Sequence, residues 1–119
     1  RMMSWLGAIA LLVTAQTVSD EEVQLSTLVA QSNDCLKKQI DQLVSADKIS
    51  LSDQERSTIR VAAAKGCQQY DAPIAALTAD YRSGQKTLDQ ATEDMLTTSL
   101  RIADAMALTR VKTNAGNAK

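Results

Sequence analysis

The stretch that decides the fold runs from residue 35 to residue 67, CLKKQIDQLVSADKISLSDQERSTIRVAAAKGC. It begins and ends on the chain's two cysteines and holds a short connection, Asp47-Lys48-Ile49-Ser50, between two segments of helical pattern. Upstream, Leu36, Ile40, Leu43 and Val44 continue an apolar spacing of three to four residues that starts at Leu25, Leu28 and Val29 and passes through Ser32 and Cys35. Downstream, Ile59, Ala62, Ala63, Gly66, Cys67 and Tyr70 form a small-residue face that lets a neighbouring helix approach closely. Ser52-Asp53-Gln54-Glu55 has the Ser-x-x-Glu form of a capping box, with Ser50 and Asp53 as a competing helix start. Two residues in an antiparallel helix pair stand level when they lie equally far from the turn. The midpoint of 35 and 67 is residue 51, at the connection, so Cys35 and Cys67 are expected to be level and joined by a disulfide. The alternative, a redox-active pair, lacks both a Cys-x-x-Cys motif and a nearby histidine.

Working outward, Ser19 and Glu22 form a second Ser-x-x-Glu box, flanked by Val18 and Val23 in the positions of a hydrophobic staple. Asp20, Glu21 and Glu22 suit the positive end of a helix dipole, which predicts a first helix from Ser19 to about residue 46. The second helix is expected from about 52 to 83, where Pro73 must either kink it or begin a new helix near its first turn. Ile74, Leu77 and Tyr81 keep the apolar spacing beyond that point. Gly84 is the natural left-handed residue after a helix end, and Thr87-Leu88-Asp89-Gln90 caps the last helix. Its apolar positions are Leu88, Ala91, Met95, Leu96, Leu100, Ile102, Ala103, Met106, Ala107 and Val111, more than one narrow stripe. The polar residues 114–119 are expected to fray as a flexible tail. Short connections between long helices predict an all-α, up-down-up three-helix bundle of antiparallel neighbours over residues 16–113.

Composition agrees and excludes much. Four Gly and one Pro in 119 residues are too few turn-makers for an all-β fold, and with aromatics at 3% and no Phe the core must be aliphatic. Lys+Arg 13 against Asp+Glu 14 leaves no basic surplus for nucleic acid. The absence of histidine removes Ser-His-Asp and Cys-His nucleophiles, paired-His zinc sites and His-ligated haem, so no catalytic residue, metal site or cofactor is expected. From Trp5 to Val13 every residue is apolar or Gly, and Val13-Thr14-Ala15 supplies a small-residue cleavage pattern. Residues 1–15 thus read as an export signal cleaved before Gln16. The run from Met2 to Ala15 is shorter than the ~20 residues of a membrane-spanning helix, which places an uncleaved anchor second. The residue directly after the cleavage site is Gln16 and not a cysteine, so a bacterial lipoprotein anchor is not expected. Two cysteines after an export signal agree with a periplasmic or secreted, oxidised protein.

Candidate binding features come from residues that the bundle does not need for its own seams. Met95, Leu96, Leu100 and Met106 form the expected partner-binding or self-association face of the last helix, since Met adapts to irregular surfaces. Asp89, Glu93 and Asp94 read as a solvated acidic side, and Arg56 with Arg60 as a solvated basic pair. Arg101, Arg110, Lys112 and Lys119 against Asp104 alone suit the negative end of the last helix. Residues 49–60, ISLSDQERSTIR, resemble the Leu-Thr-x-x-Gln helix start of the Spy/CpxP family of periplasmic stress chaperones, with Glu55 where that family has Gln. The resemblance covers about twelve residues and implies an exported helical protein that cradles unfolding clients without ATP. The expectation is an exported, non-enzymatic helical protein acting by protein–protein contact. A holdase chaperone and a membrane-anchored coiled-coil component of an envelope assembly are the alternatives.

Overall fold

The structure, a computed structural model, describes residues 19–118; the apolar segment 1–15, the staple residue Val18 and Lys119 lie outside the described residues. Helix α1 spans Asp20–Leu43 and α2 spans Asp53–Gly66. A 3₁₀ turn at Gln68–Tyr70 leads into α3 (Asp71–Leu77), followed by α4 (Ala79–Arg82) and α5 (Leu88–Asn117). Among the described residues there is no strand, and the fold is all-helical.

The helix starts are local chemistry. Ser52 Oγ accepts the Glu55 N–H at 3.1 Å while Glu55 Oε1 accepts the Ser52 N–H at 3.0 Å, closing the capping box of α2. Thr87 and Gln90 do the same for α5 at 3.2 and 3.0 Å. At α1 only half of the expected box forms: Ser19 accepts the Glu22 N–H at 3.1 Å, and no return bond from Glu22 exists among the described residues. Gly84 closes α4 at φ 78°, the left-handed conformation that a residue with a Cβ disfavours.

The single long second helix expected over 52–83 is instead divided. Helix α2 stops at Cys67, whose φ of −119° and ψ of 14° leave the helical region, and its N–H turns back to Ala64 and Lys65. The cause lies downstream. Pro73 has no N–H and its ring would clash with the carbonyl of residue 69 in a continuous helix, so the chain breaks before it. Pro73 then falls in the first turn of α3, where an N–H has no intrahelical partner to lose. A second break falls at Thr78, which is extended at ψ 150°, with its hydroxyl donating to the Ala75 carbonyl at 2.9 Å.

The last helix corrects the expected tail. Instead of fraying from residue 114, α5 continues to Asn117, because Asn114 is buried and its Nδ2 donates to the carbonyls of Ser45 and Lys48 at 3.0 and 2.8 Å. Arg110 Nε likewise donates to the Val44 carbonyl at 3.1 Å. These side chains satisfy carbonyls that the end of α1 at Leu43, three residues short of expectation, leaves without helical partners.

The core is aliphatic and small-grained: Leu36, Ile40 and Val44 from α1 and its exit meet Ile59, Ala63 and Cys67 of the second limb and Ala103, Ala107 and Val111 of α5. Helix α5 also packs on α3, through the level of Ile74 and Ala75. The Cys35–Cys67 disulfide joins α1 to the end of α2 with Cα atoms 5.9 Å apart. On the chain-entropy account, closing a loop of separation 32 is worth about 3.7 kcal/mol. Replacing both cysteines by Ser should therefore lower the thermal midpoint by more than about 10 °C; an unchanged melting curve would show that packing alone holds the α1–α2 pair.

Candidate functional site

Helices α1 and α5 lie side by side, and the residues that line the trough between them keep a constant register. Leu25, Val29 and Ser32 stand with Met95, Ser99 and Ile102, and farther along Ile40 and Asp41 stand with Met106 and Arg110. The trough consists of two recesses of about 310 and 430 Å³ that share Ile102. That size is in the range of sites that hold a drug-sized ligand or a few side chains of a partner. Its upper half is lined by uncharged groups. The lower half carries Lys37, Asp41 and Arg110 on its rim, where Asp41 lies 3.1 Å from Lys37 Nζ and 3.6 Å from Arg110 Nη1.

The four residues expected to form one face of the last helix are split by geometry. At about 100° per residue, Met95 and Met106 lie within about 20° of each other around α5, whereas Leu96 and Leu100 lie about 100 to 140° away from Met95. Met95 lines the upper recess and Met106 the lower. Leu96 borders a different, polar recess of about 520 Å³ on the far flank, and Leu100 is half-buried. Sequence reasoning assigned Leu25, Val29 and Ile102 to core stripes and so missed them as trough residues; Val29 is 39% exposed. Pairing the α1 stripe with the α5 positions at the same height would have found them.

The charged candidates find partners. Arg56 grips Asp104 with two hydrogen bonds, Nε to Oδ1 at 3.2 Å and Nη2 to Oδ2 at 2.8 Å, and Arg60 lies 3.9 Å from the same carboxylate. This pair is a half-buried clasp between α2 and α5, not the solvated pair expected, and the Arg56 hydrogen bonds hold the Asp104 carboxyl below its usual range. Of the acidic side at Asp89, Glu93 and Asp94, Asp94 is engaged by Lys86, which also reaches Asp80 at 3.5 Å. Among the described residues no cluster of three or more Cys, Asp or Glu could hold a metal ion. Lys48 reaches Glu55 at 2.6 Å, and this contact, with the cap bond from the Ser52 N–H, lowers the Glu55 carboxyl to about 2.

Asp71 is the one buried carboxyl among the described residues, 4% exposed at the start of α3 against α5. Desolvation raises its pKa, opposed by the Ser99 hydroxyl, which donates to Oδ1 across a long 3.5 Å. Lys65 and Glu93 face the same far-flank recess. The sequence read Asp71 only as part of the interruption before Pro73, and no spacing signal marks it as buried. The chain matches no protein-family model, no curated protein and no solved structure.

The raised Asp71 pKa fixes a sign. The folded state binds this proton more tightly than the unfolded chain, so the contribution is full below the ordinary carboxylate value and is lost as pH rises through the raised one. Asp71→Asn, a neutral isostere, should raise the melting temperature at pH 7 and flatten the pH profile just above the ordinary carboxylate range. A lower midpoint at pH 7 would mean that the dipole of α3 outweighs the desolvation.

Proposed function

We propose that the protein is an exported, non-enzymatic binding protein, a disulfide-stapled up-down-up bundle that holds an apolar segment of a protein partner in the α1/α5 trough. In this arrangement α2, α3 and α4 together form the descending limb. The observation that carries the reading is the trough itself, a concave apolar surface about four helical turns long, floored by Ile102 and lined by Met95 and Met106. Export is supported by the signal-like residues 1–15 and by the disulfide, which persists in oxidising compartments. No helix among the described residues is long and apolar enough to cross a membrane. A single partner is preferred to a holdase's many clients. Ser52 and Glu55, which carry the resemblance to Spy/CpxP chaperones, are spent on capping α2 and on Lys48.

Two measurements test this. Intact mass of the protein recovered from its native cells should correspond to a chain starting at Gln16, with both thiols blocked until reduction. An uncleaved chain with free thiols would sink the export assignment, and an uncleaved chain in the membrane fraction would favour the anchored component. A photo-reactive residue in place of Met106 should capture one discrete protein in the envelope or medium, while the same probe in place of exposed Asp53 captures none. Many weak products at Met106 would instead favour the holdase, and none would remove the trough from the mechanism.

A further inference from the structure

The trough has a polarity that narrows its occupant. Its upper end, at Leu25 and Met95, is flanked by the acids Glu22 and Asp94. Its lower end, at Ile40 and Met106, is flanked by the cations Lys37, Arg110 and Lys112 around one acid, Asp41, which leaves that end a net positive charge. On α1 the row beside the trough runs Glu22, Val29, Asn33, Lys37, four residues that fall within about 80° of one another. On α5 the outer rim runs Asp94, Thr98, Ala105, Lys112, within about 40°. Both rows start acidic and end basic in the same direction, because the constant register of the lining residues makes α1 and α5 parallel neighbours. Lys37 and Asp94 have intrachain partners in Asp41 and Lys86. Glu22 and Lys112, at opposite ends of the face, make no ion pair among the described residues.

From this geometry we infer that the occupant of the trough is a second copy of this chain, docked antiparallel. The inference rests on the trough being a binding surface. Two parallel helices with an apolar furrow between them are half of a four-helix bundle, and a face-to-face copy supplies the other half. The side chains left half-covered in one chain, Val29, Met95, Ile102 and Met106, then become the interior of the four-helix layer pair. A two-fold axis across the helices brings each acidic end onto the partner's basic end, so one surface is its own complement. A parallel stacking, with the two-fold axis along the helices, would lay α1 over α5 of the other copy and set Glu22 near Asp94, and like charges in register select against it. The trough from Met95 to Arg110 is about 22 Å long at 1.5 Å per residue, enough for both copies to contribute about four turns from each helix. Arg101, near the middle of the α5 rim, falls close to the axis and is the one cation that the antiparallel copy does not complement.

Sedimentation equilibrium of the oxidised full chain, from low to high micromolar, tests the inference. The expected result is a concentration-dependent dimer that weakens in high salt. Ile102→Glu in the trough floor and Val29→Lys on its wall should each weaken association roughly tenfold or more, as truncating a central contact does. Circular dichroism on the same samples identifies any variant that fails to fold, and exposed Val29 supplies the readout if Ile102→Glu does. Glu22→Lys and Lys37→Glu should each weaken the dimer, and the double variant should recover it, because the swapped charges again meet across the axis. The Lys37–Asp41 pair is not restored in that double variant, so recovery isolates the contact between copies. A monomer at every concentration and salt overturns the inference. If the Met106 probe still captures a different protein, the trough reading survives without it. A dimer indifferent to both trough variants, or a double swap that does not recover association, also overturns it.

Discussion

The architecture depends on one covalent constraint placed where the helical limb fails. Cys67 is at once the last point of α2, a fully buried core residue and one end of the bridge to α1. The end of α2 is therefore fixed to α1 before Pro73 forces the chain out of helix. Neither α3 nor α4 can hold itself. Helices of seven and four residues are far below the length at which an isolated helix is stable in water. They are held by docking: Ile74 and Ala75 bury against α5, Arg82 reaches Glu21 of α1 at 3.1 Å, and Gly84 turns the chain toward the cap at Thr87.

A core without phenylalanine has to work by closeness. Ala63, Ala103 and Ala107 are completely buried, and such positions let helix backbones approach more nearly than larger side chains permit. The cost is that little apolar area is removed from water per residue, at about 25 cal/mol per Å². Polar clamps supplement it where α1 ends. Asn114 and Arg110 hydrogen-bond backbone carbonyls between residues 44 and 48, and Arg56 holds Asp104 in a partly desolvated pair. Hydrogen bonds of this kind contribute about 1 kcal/mol each, and a charged partner raises that figure. Exposed pairs such as Lys37–Asp41 contribute little to stability by comparison.

The legible part of this fold is the part governed by local chemistry or by counting. Caps at Ser52 and Thr87, the stop at Gly84, the all-helical class and the level pairing of Cys35 with Cys67 come from residue types at fixed offsets. The hidden part depends on contacts between distant segments. Asn114 belongs to a polar tail by composition, yet two carbonyls from the α1–α2 connection make it a buried donor. Asp104 and Arg56 are separated by 48 residues, and nothing in either neighbourhood announces the pair. Pro73 was visible, but its effect falls upstream, in the 3₁₀ turn Gln68–Tyr70, because the ring excludes the carbonyl of residue 69 from a continuous helix. The candidate face failed as a single face for a simpler reason: Met95 and Leu96 are adjacent in sequence and therefore about 100° apart on a helix.

That split is also what makes α5 informative about function. A helix that packs in a bundle needs one apolar seam, and Ala103, Ala107 and Val111 supply it against α1 and α2. Leu100 and Leu96 turn toward the α2–α3 side, leaving Met95, Ile102 and Met106 on the opposite shoulder. Ile102 and Met106 pack with one flank against the core cluster, while Ala105 and Thr109 of the same rim are exposed. Met95, Ile102 and Met106 are three of the larger apolar side chains of α5, set opposite Leu25 and Val29 of α1 and half-covered between the two helices. Apolar surface left in water is unfavourable in the isolated chain, and association that covers it recovers that free energy. The shoulder therefore has two flanks, one packed on the core and one that the proposed docking would cover.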